Sequence, residues 1–389
     1  MAVKLGNYVM GGWALGTGEG RPLFDAVTGE TIGLTDTSGI DFGEVLDYAR
    51  RVGNPALRKM TFPERGRMLK ALAMHLLSQK ETFYELSYRT GATRTDSWID
   101  IEGGIGNLFS YASLRRQFSD SPFHVEGDAI PLSKGGSFVG RHIMVPKEGV
   151  AIHINAFNFP VWGMLEKIAV NLLAGVPAVV KPASLTSYLT EAVVREIDAS
   201  NILPKGALQL ICGSGNGLLD HVINQDVVTF TGSAETGRML KAHDRIMQES
   251  VPFNMEADSL NCAVLGEDAE PGSAVFKLFI KEVRKEMTVK CGQKCTAIRR
   301  VIVPGKYLDA VQEALAAELD RTTIGNPRHE KVRMGALAGL TQVQEVLDRV
   351  NELAQHTSLV YGNPDSVEVI DADAKAGAFL SPMILRNET

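Results

Sequence analysis

Val227-Val228-Thr229-Phe230-Thr231-Gly232-Ser233-Ala234-Glu235-Thr236-Gly237 decides the fold: an apolar β-branched run stops at a glycine and a serine, and a helical pattern begins at once. A strand-to-helix turn of this kind aims unpaired backbone N–H groups and the positive end of a helix dipole at one point, which suits a phosphate. It is not the three-glycine dinucleotide fingerprint, so on its own it reads equally as structural punctuation. Upstream, the same cycle repeats. The pattern predicts a strand at 150–154, an apolar helix at 163–174, a short buried strand at 178–181, and a helix at 186–199 capped by Ser184 or Thr186. A strand at 207–212 and a helix at 216–223 follow, before the strand at 227–231 and the helix at 234–242. Successive strand–helix units predict a doubly wound, Rossmann-like α/β coenzyme domain whose ligands lie at the carboxyl ends of the strands.

Further out the pattern changes. Residues 8–13 and 31–34 read as a strand pair, and Thr61-Phe62-Pro63-Glu64 as a capping box opening a helix with Met68, Leu69, Leu72, Leu76 and Leu77 on one face. Residues 121–147 carry glycine, proline and short alternating runs, the signature of a hairpin that leaves the main body and joins subunits. Downstream, a helix at 274–287 delivers the chain to Cys291-Gly292-Gln293-Lys294-Cys295, followed by a strand at 299–303. The expected organisation is a coenzyme domain from 1–120 and 148–257, a protruding hairpin from 121–147, and a second α/β catalytic domain from 258–389.

Composition narrows the classes. At 389 residues, 44% hydrophobic, the chain has room for two cores. A formal charge of −6 gives no electrostatic footprint for nucleic acid. No run reaches the roughly 18 apolar residues of a membrane span, and Gly11, Gly12 and Gly16 break up any signal-peptide core, so a cytoplasmic protein is expected. Four cysteines are too sparse for a disulfide framework, and the eight scattered histidines provide no metal-ligand spacing, so no metal is expected.

Four polar residues stand where chemistry is expected. Asn158, between Phe157 and Phe159 just past a strand, offers an amide to a developing oxyanion or, more plainly, caps the next helix. Lys181, at a strand end, suits a ribose or phosphate, or is a solvated lysine. Cys295 lies in a polar loop where Lys294 or a cationic ring favours its thiolate, making it a candidate nucleophile. Glu256 sits in an apolar strand-like segment, where burial would tune it as a general base unless an ion pair holds it. Lys281, Arg284 and Lys285 read as a solvated helix face or as an attractor of phosphate groups.

Taken together, Phe157-Asn158-Phe159-Pro160, Lys181-Pro182-Ala183, Phe230-Thr231-Gly232-Ser233, Glu256 and Gly292-Gln293-Lys294-Cys295 resemble, in order and approximate spacing, the aldehyde dehydrogenase family. The segment 24–33, Gly325-Asn326-Pro327 and Met334-Gly335-Ala336-Leu337 resemble further pieces of it. The resemblance implies that the Cys295 thiolate attacks an aldehyde, that Asn158 and the Cys295 N–H hold the oxyanion, and that hydride leaves to a nicotinamide. Glu256 then activates water to release a free acid. Cofactor binding falls to Ile154, Phe157, Lys181, Ser184, Gly232, Ser233 and Gly237. Many NAD-preferring relatives carry glutamate three positions after the lysine. Ser184 stands there instead and removes a repulsion against a 2′-phosphate, so NADP is expected, with NAD the alternative.

Ala257-Asp258-Ser259 after the base and Asn155-Ala156 before Phe157 are similar to a narrow branch acting on ring-cleaved CoA-thioester semialdehydes. That likeness implies 3-oxo-5,6-dehydrosuberyl-CoA semialdehyde, from phenylacetate degradation, as substrate, with 3,4-dehydroadipyl-CoA semialdehyde, from aerobic benzoyl-CoA degradation, as the alternative. It also implies a homo-oligomer. The family continues past the position of Thr389, so a fragment with an incomplete catalytic domain is expected, with a fused hydratase domain beyond it in some members. Two rivals remain: a cofactor-free cysteine hydrolase, for which the one nearby histidine, His153, lies inside a strand, and a catalytically silent nucleotide-binding module.

Overall fold

A computed structural model describes residues 3–387. Thr389, where the sequence stops, lies outside them. In chain order, the elements that position the site begin with β1 (Asn7–Val9), β2 (Gly12–Ala14), β3 (Arg21–Phe24), β4 (Thr31–Thr35), α1 (Phe62–Ser78) and α2 (Arg94–Ser113). A hairpin of β5 (His124–Pro131) and β6 (Val139–Met144) follows. The repeated units are β7 (Ala151–Ile154), α3 (Pro160–Leu173), β8 (Ala178–Lys181), α4 (Ser187–Ser200), β9 (Leu208–Leu210), β10 (Val227–Gly232), α5 (Ala234–Lys241) and β11 (Phe253–Ala257). Beyond them lie β12 (Cys262–Val264), α6 (Ala274–Thr288), β13 (Arg300–Ile302) and α7 (Leu308–Leu319).

The main sheet runs β11-β10-β7-β8-β9-β1-β2, with the first five strands parallel and the hairpin β1–β2 closing one edge antiparallel. Chain order therefore reverses between β7 and β10. Connections from the two sides diverge at that point and leave a crevice at the strands' carboxyl ends.

Strand alternation sorts the side chains. Val180 joins Leu69, Leu72, Ile101, Leu165 and Ile168 in a core against α1 to α4, while Ile152, Val179 and Val228 pack on the opposite face with Val9, Leu46 and Ile246. Burying each such side chain contributes roughly 1.5–3 kcal/mol. A third cluster unites Phe276, Ile280 and Val283 of α6 with Leu315 and Leu319 of α7 beneath the parallel pair β12–β13.

The capping box of α1 forms as expected: Glu64 N donates to Thr61 Oγ1 at 3.2 Å and Thr61 N to Glu64 Oε2 at 2.7 Å. The hairpin at 124–144 stands out with Phe138, Val139, Ile143 and Met144 exposed. Two expectations change. Residues 8–13 do not pair with 31–34, because Met10 and Gly11, both at positive φ, fold that stretch back on itself, and β4 pairs with β3 instead. The expected helix at 216–223 is only a single 3₁₀ turn, Leu218–His221, entered through Gly217 at φ 88°. Among the described residues, no helix is long and apolar enough to cross a membrane, and no group of three or more His, Cys, Asp or Glu could hold a metal ion.

Candidate active site

Register places the candidates in two rows at the carboxyl edge. Ile154 pairs with Lys181 on one side and Phe230 on the other, and Phe230 pairs with Met255. One residue further, Thr231 faces Glu256, and Asn155, whose N–H still bonds Lys181 O at 3.0 Å, extends β7. Because successive side chains alternate, the rows point to opposite faces. Contacts identify each face. A Cβ at Gly237 would meet Met255 and Phe230, so α5 covers the face of Ile154, Lys181 and Phe230. His153 bonds Thr229 Oγ1 at 2.7 Å and Asn171 of α3 at 2.8 Å, so Asn155, Thr231 and Glu256 share the face of α3.

The α5 face matches an anionic, hydroxyl-rich ligand. Ser233 caps α5, accepting from Thr236 N at 3.3 Å and donating to Thr236 Oγ1 at 3.0 Å, while Gly237 lets the helix close on β10 and β11. Burial lowers the pKa of the Lys181 ammonium, and no hydrogen bond or ion pair holds it among the described residues. A cation kept at a strand end without a carboxylate invites a polar ligand. Ser184, half-buried, lies just beyond, and the Phe157 carbonyl accepts from Thr186 Oγ1 at 3.1 Å. On the other face, both amide atoms of buried Asn155 and the Thr231 hydroxyl lack a partner among the described residues. Orphaned buried polar atoms at a crevice mouth are a second sign of a ligand. A dinucleotide fits this donor set.

Asn158 turns out not to be the helix cap. Its Oδ1 accepts only the adjacent Phe159 N, and the first N–H groups of α3, from Val161 and Trp162, go to Asp100 Oδ1 at 3.1 and 2.8 Å. Released from capping, the Asn158 amide donates to Gln293 O at 2.9 Å, tying its strap to the cysteine loop. That loop begins with three residues at positive φ, Lys290, Cys291 and Gly292. Its carbonyls are held from outside. Asn261 Nδ2 donates to Cys295 O at 2.6 Å and Ala297 O at 3.2 Å, the Ser259 hydroxyl also donates to Cys295 O, and Arg299 Nη2 donates to Lys294 O at 3.0 Å. Gln293 Oε1 accepts from Ala338 N at 3.1 Å. The Cys295 N–H has no acceptor among the described residues, and one N–H of the Asn158 amide is likewise uncommitted.

The two loop cysteines differ. Cys295 is exposed. Cys291 donates its thiol proton to Gly335 O and Ala336 O, both at 3.3 Å, and burial pushes that thiol up, so it is no competing nucleophile. Two details of the sequence reading are corrected. Lys294 does not reach toward Cys295, because its ammonium is buried and paired with Glu286 at 2.7 Å. Glu256 is exposed rather than buried, on the open side of the edge strand β11. Two of the three cations on the basic helix face meet carboxylates: Lys285 pairs with Glu282 at 3.3 Å and Arg284 lies 3.9 Å from Glu318, while Lys281 is exposed.

Asn261 was not foreseen. It follows Glu256 of the edge strand by only five residues, so one segment brings the carboxylate to the mouth and grips the cysteine loop. An asparagine amid polar residues carries no local signal of that role.

Comparison with known proteins agrees with this architecture. The model of the aldehyde dehydrogenase family matches residues 13–389. The chain is 42% identical over 384 residues to a 3,4-dehydroadipyl-CoA semialdehyde dehydrogenase of Aromatoleum evansii, covering 98% of this chain and 75% of that protein. It is 26% identical to a glutarate-semialdehyde dehydrogenase of Pseudomonas putida, covering 97% and 75%. Among solved structures, an aldehyde dehydrogenase of Bacillus cereus in complex with NAD+ superposes with a TM-score of 0.82 at 20% identity, covering 98% of this chain and 74% of that one.

Proposed function

Since the chain belongs to the aldehyde dehydrogenase family, we propose that it oxidises a CoA-thioester semialdehyde to the carboxylic acid through a thioester on Cys295. The observation that carries this reading is the bond from Asn158 Nδ2 to Gln293 O, which joins a strap with a spare amide N–H to the loop bearing the exposed thiol. The Cys295 thiolate adds to the aldehyde carbon, and the developing oxyanion takes the free N–H of Cys295 and the second N–H of Asn158. When bound, a nicotinamide dinucleotide supplies the hydride acceptor. Lys181 and Ile154, the turn at Gly232 and Ser233, and Phe157, Ser184 and Gly237 around it hold that dinucleotide on the α5 face. Glu256, on the opposite face and open to solvent, takes a proton from the water that hydrolyses the thioester.

For the substrate, the 42% identical relative favours 3,4-dehydroadipyl-CoA semialdehyde over the longer 3-oxo-5,6-dehydrosuberyl-CoA semialdehyde. Arg299 and Arg300, exposed beside the loop and bonded only to backbone carbonyls, leave cationic charge for CoA phosphates. Ser184 in place of a carboxylate makes NADP the preferred cofactor. The same reading keeps 1–120 with 148–257 as the coenzyme domain and 258–389 in the catalytic domain, and assigns the exposed apolar hairpin β5–β6 to a homo-oligomer interface.

The test is steady-state and burst kinetics of the full-length protein with both semialdehydes and both dinucleotides. The expected result is a higher kcat/KM for the shorter semialdehyde with NADP, and for Glu256→Gln a single stoichiometric burst of NADPH followed by a stall. An undiminished steady rate in Glu256→Gln removes the base. A tenfold advantage for NAD, about 1.4 kcal/mol in transition-state terms, removes the cofactor preference.

A further inference from the structure

Helix α2 carries two buried carboxylates one turn apart, Asp96 and Asp100, which lie on one helical face because residues four apart are neighbours there. Each reaches a different part of the site. Asp96 Oδ1 accepts Lys290 N at 2.8 Å, at the first positive-φ residue of the cysteine loop, while its Oδ2 accepts Thr93 N at 2.9 Å and the Thr93 hydroxyl at 2.8 Å. Asp100 Oδ1 accepts Val161 N and Trp162 N, the first turn of α3, three and four residues after Asn158. The side chain of Lys290 returns to the same helix end: its buried ammonium donates to Thr90 Oγ1 at 3.1 Å.

We infer that Asp96 and Asp100 are positioning residues for the reaction, one helix face setting the separation between the Cys295 thiol and the Asn158 amide. The inference rests on the aldehyde-oxidising reading above. The physical case is the cost of the alternatives. Lys290 occupies a left-handed conformation that a non-glycine residue adopts only when its surroundings hold it there, and the Asp96 carboxylate is the acceptor that holds its N–H. The α3 N-terminus has no cap of its own, since Phe159 supplies no side-chain bond, so the Asp100 carboxylate performs the task that otherwise falls to Asn158. Asp100 thus leaves the Asn158 amide free of a capping duty, and Asp96 holds the start of the loop that carries Cys295. The Asn158–Gln293 bond then closes the circuit from α2 through both loops. Burial raises the Asp100 carboxyl to about 7, with the nearby Lys290 cation opposing that rise.

The two arms predict different failures. In the full-length protein with Cys262→Ser, which removes the other exposed thiol, iodoacetamide modification of Cys295 reports the loop without aldehyde or dinucleotide. Asp96→Ala is expected to change that modification rate at least fivefold and to lower kcat at least tenfold. Asp100→Leu, near in volume but without an acceptor, is expected to leave the modification rate within twofold and lower kcat at least tenfold, with KM for the dinucleotide unchanged. Asp100→Asn keeps the acceptor that both N–H groups use and is expected to restore most of kcat. Asp96→Asn preserves only one of the two sides that Asp96 serves and falls between. The inference is overturned if either arm leaves kcat within twofold, if both arms alter modification equally, or if Asp100→Asn fails to rescue. Should Asp96→Ala or Asp100→Leu not fold, the isosteric pair decides alone: Asp96→Asn altering the modification rate while Asp100→Asn does not is the supporting result, and equal rates overturn it. A wild-type protein that reduces no dinucleotide with any semialdehyde overturns the proposed reaction, while the modification rates still judge the positioning.

Discussion

The turn at 231–237 and the loop at 289–297 face the same crevice but are held in opposite ways. At the turn, the partner of Ser233 is Thr236, three residues on, and Gly237 gives α5 its close approach to β10 and β11. In the loop, the partners are Asp96, Asn158, Asn261 and Ala338, the first of them 194 residues away along the chain. A binding turn needs only a pattern of N–H groups, which a strand end and a helix start provide unaided. A nucleophile must meet an amide and a carboxylate from other parts of the chain, and only tertiary bonds fix that.

Substitutions can break this contrast, starting with the reacting atom. Cys295→Ala is expected to lower kcat by about 10⁴-fold or more while leaving dinucleotide affinity intact, measured by turnover and by dinucleotide fluorescence titration; loss of affinity as well would mean that loop and turn are one unit. Asn158→Ala removes both the proposed oxyanion donor and the strap's tie to Gln293, with an expected loss of 10²–10³-fold in kcat. A drop below tenfold would place the oxyanion elsewhere. Asn261→Ala touches no reacting atom, but it releases the Ala297 carbonyl and leaves the Cys295 carbonyl to Ser259 alone, and a roughly tenfold fall in kcat with unchanged dinucleotide affinity is expected.

At the turn the effects are smaller. Ser233→Ala is expected to cost about 1 kcal/mol of stability in denaturant unfolding and to weaken dinucleotide binding severalfold, with the Cys295 modification rate unchanged. Acid sharpens the comparison from below. Buried His153, bonded to Thr229 and Asn171, is lowered to about 4 chiefly by burial. The unfolded chain therefore binds a proton that the folded one refuses between about 6.5 and 4. Stability is complete above the upper value and declines as pH falls through that window, and His153→Gln should flatten that part of a stability-versus-pH curve.

Legibility followed the same division. The strands at 178–181 and 227–231, the helix at 274–287 and the α1 capping box were readable because each is set by neighbours within a turn or two. The pairing of residues 8–13 was misread because two apolar runs do not say whether they pair with each other or fold back, and the positive φ at Met10 carries no apolar signal. Lys294 drew attention for its proximity to Cys295 along the chain, yet an ion pair with Glu286, eight residues earlier, turns it away. Glu256 seemed buried because its neighbours are apolar, whereas it lies on the exposed side of the outer strand β11 and Phe253 and Met255 lie on the half-buried one, a sorting that only the packed sheet reveals.

By itself, the sequence determined the alternation of strands and helices, the anion-suited turn at Gly232, and the identities of Cys295, Asn158, Glu256 and Lys181 as chemically able groups. Those follow from side-chain type and from periodicities of two and 3.6 residues, which act over short stretches of chain. Tertiary structure alone decided that Lys181 and Glu256 lie on opposite faces of one edge, that Asp100 frees Asn158, and that Asp96 and Asn261 hold the cysteine loop. Hydrogen bonds between residues far apart in the chain depend on how the layers pack, and no local pattern encodes that packing.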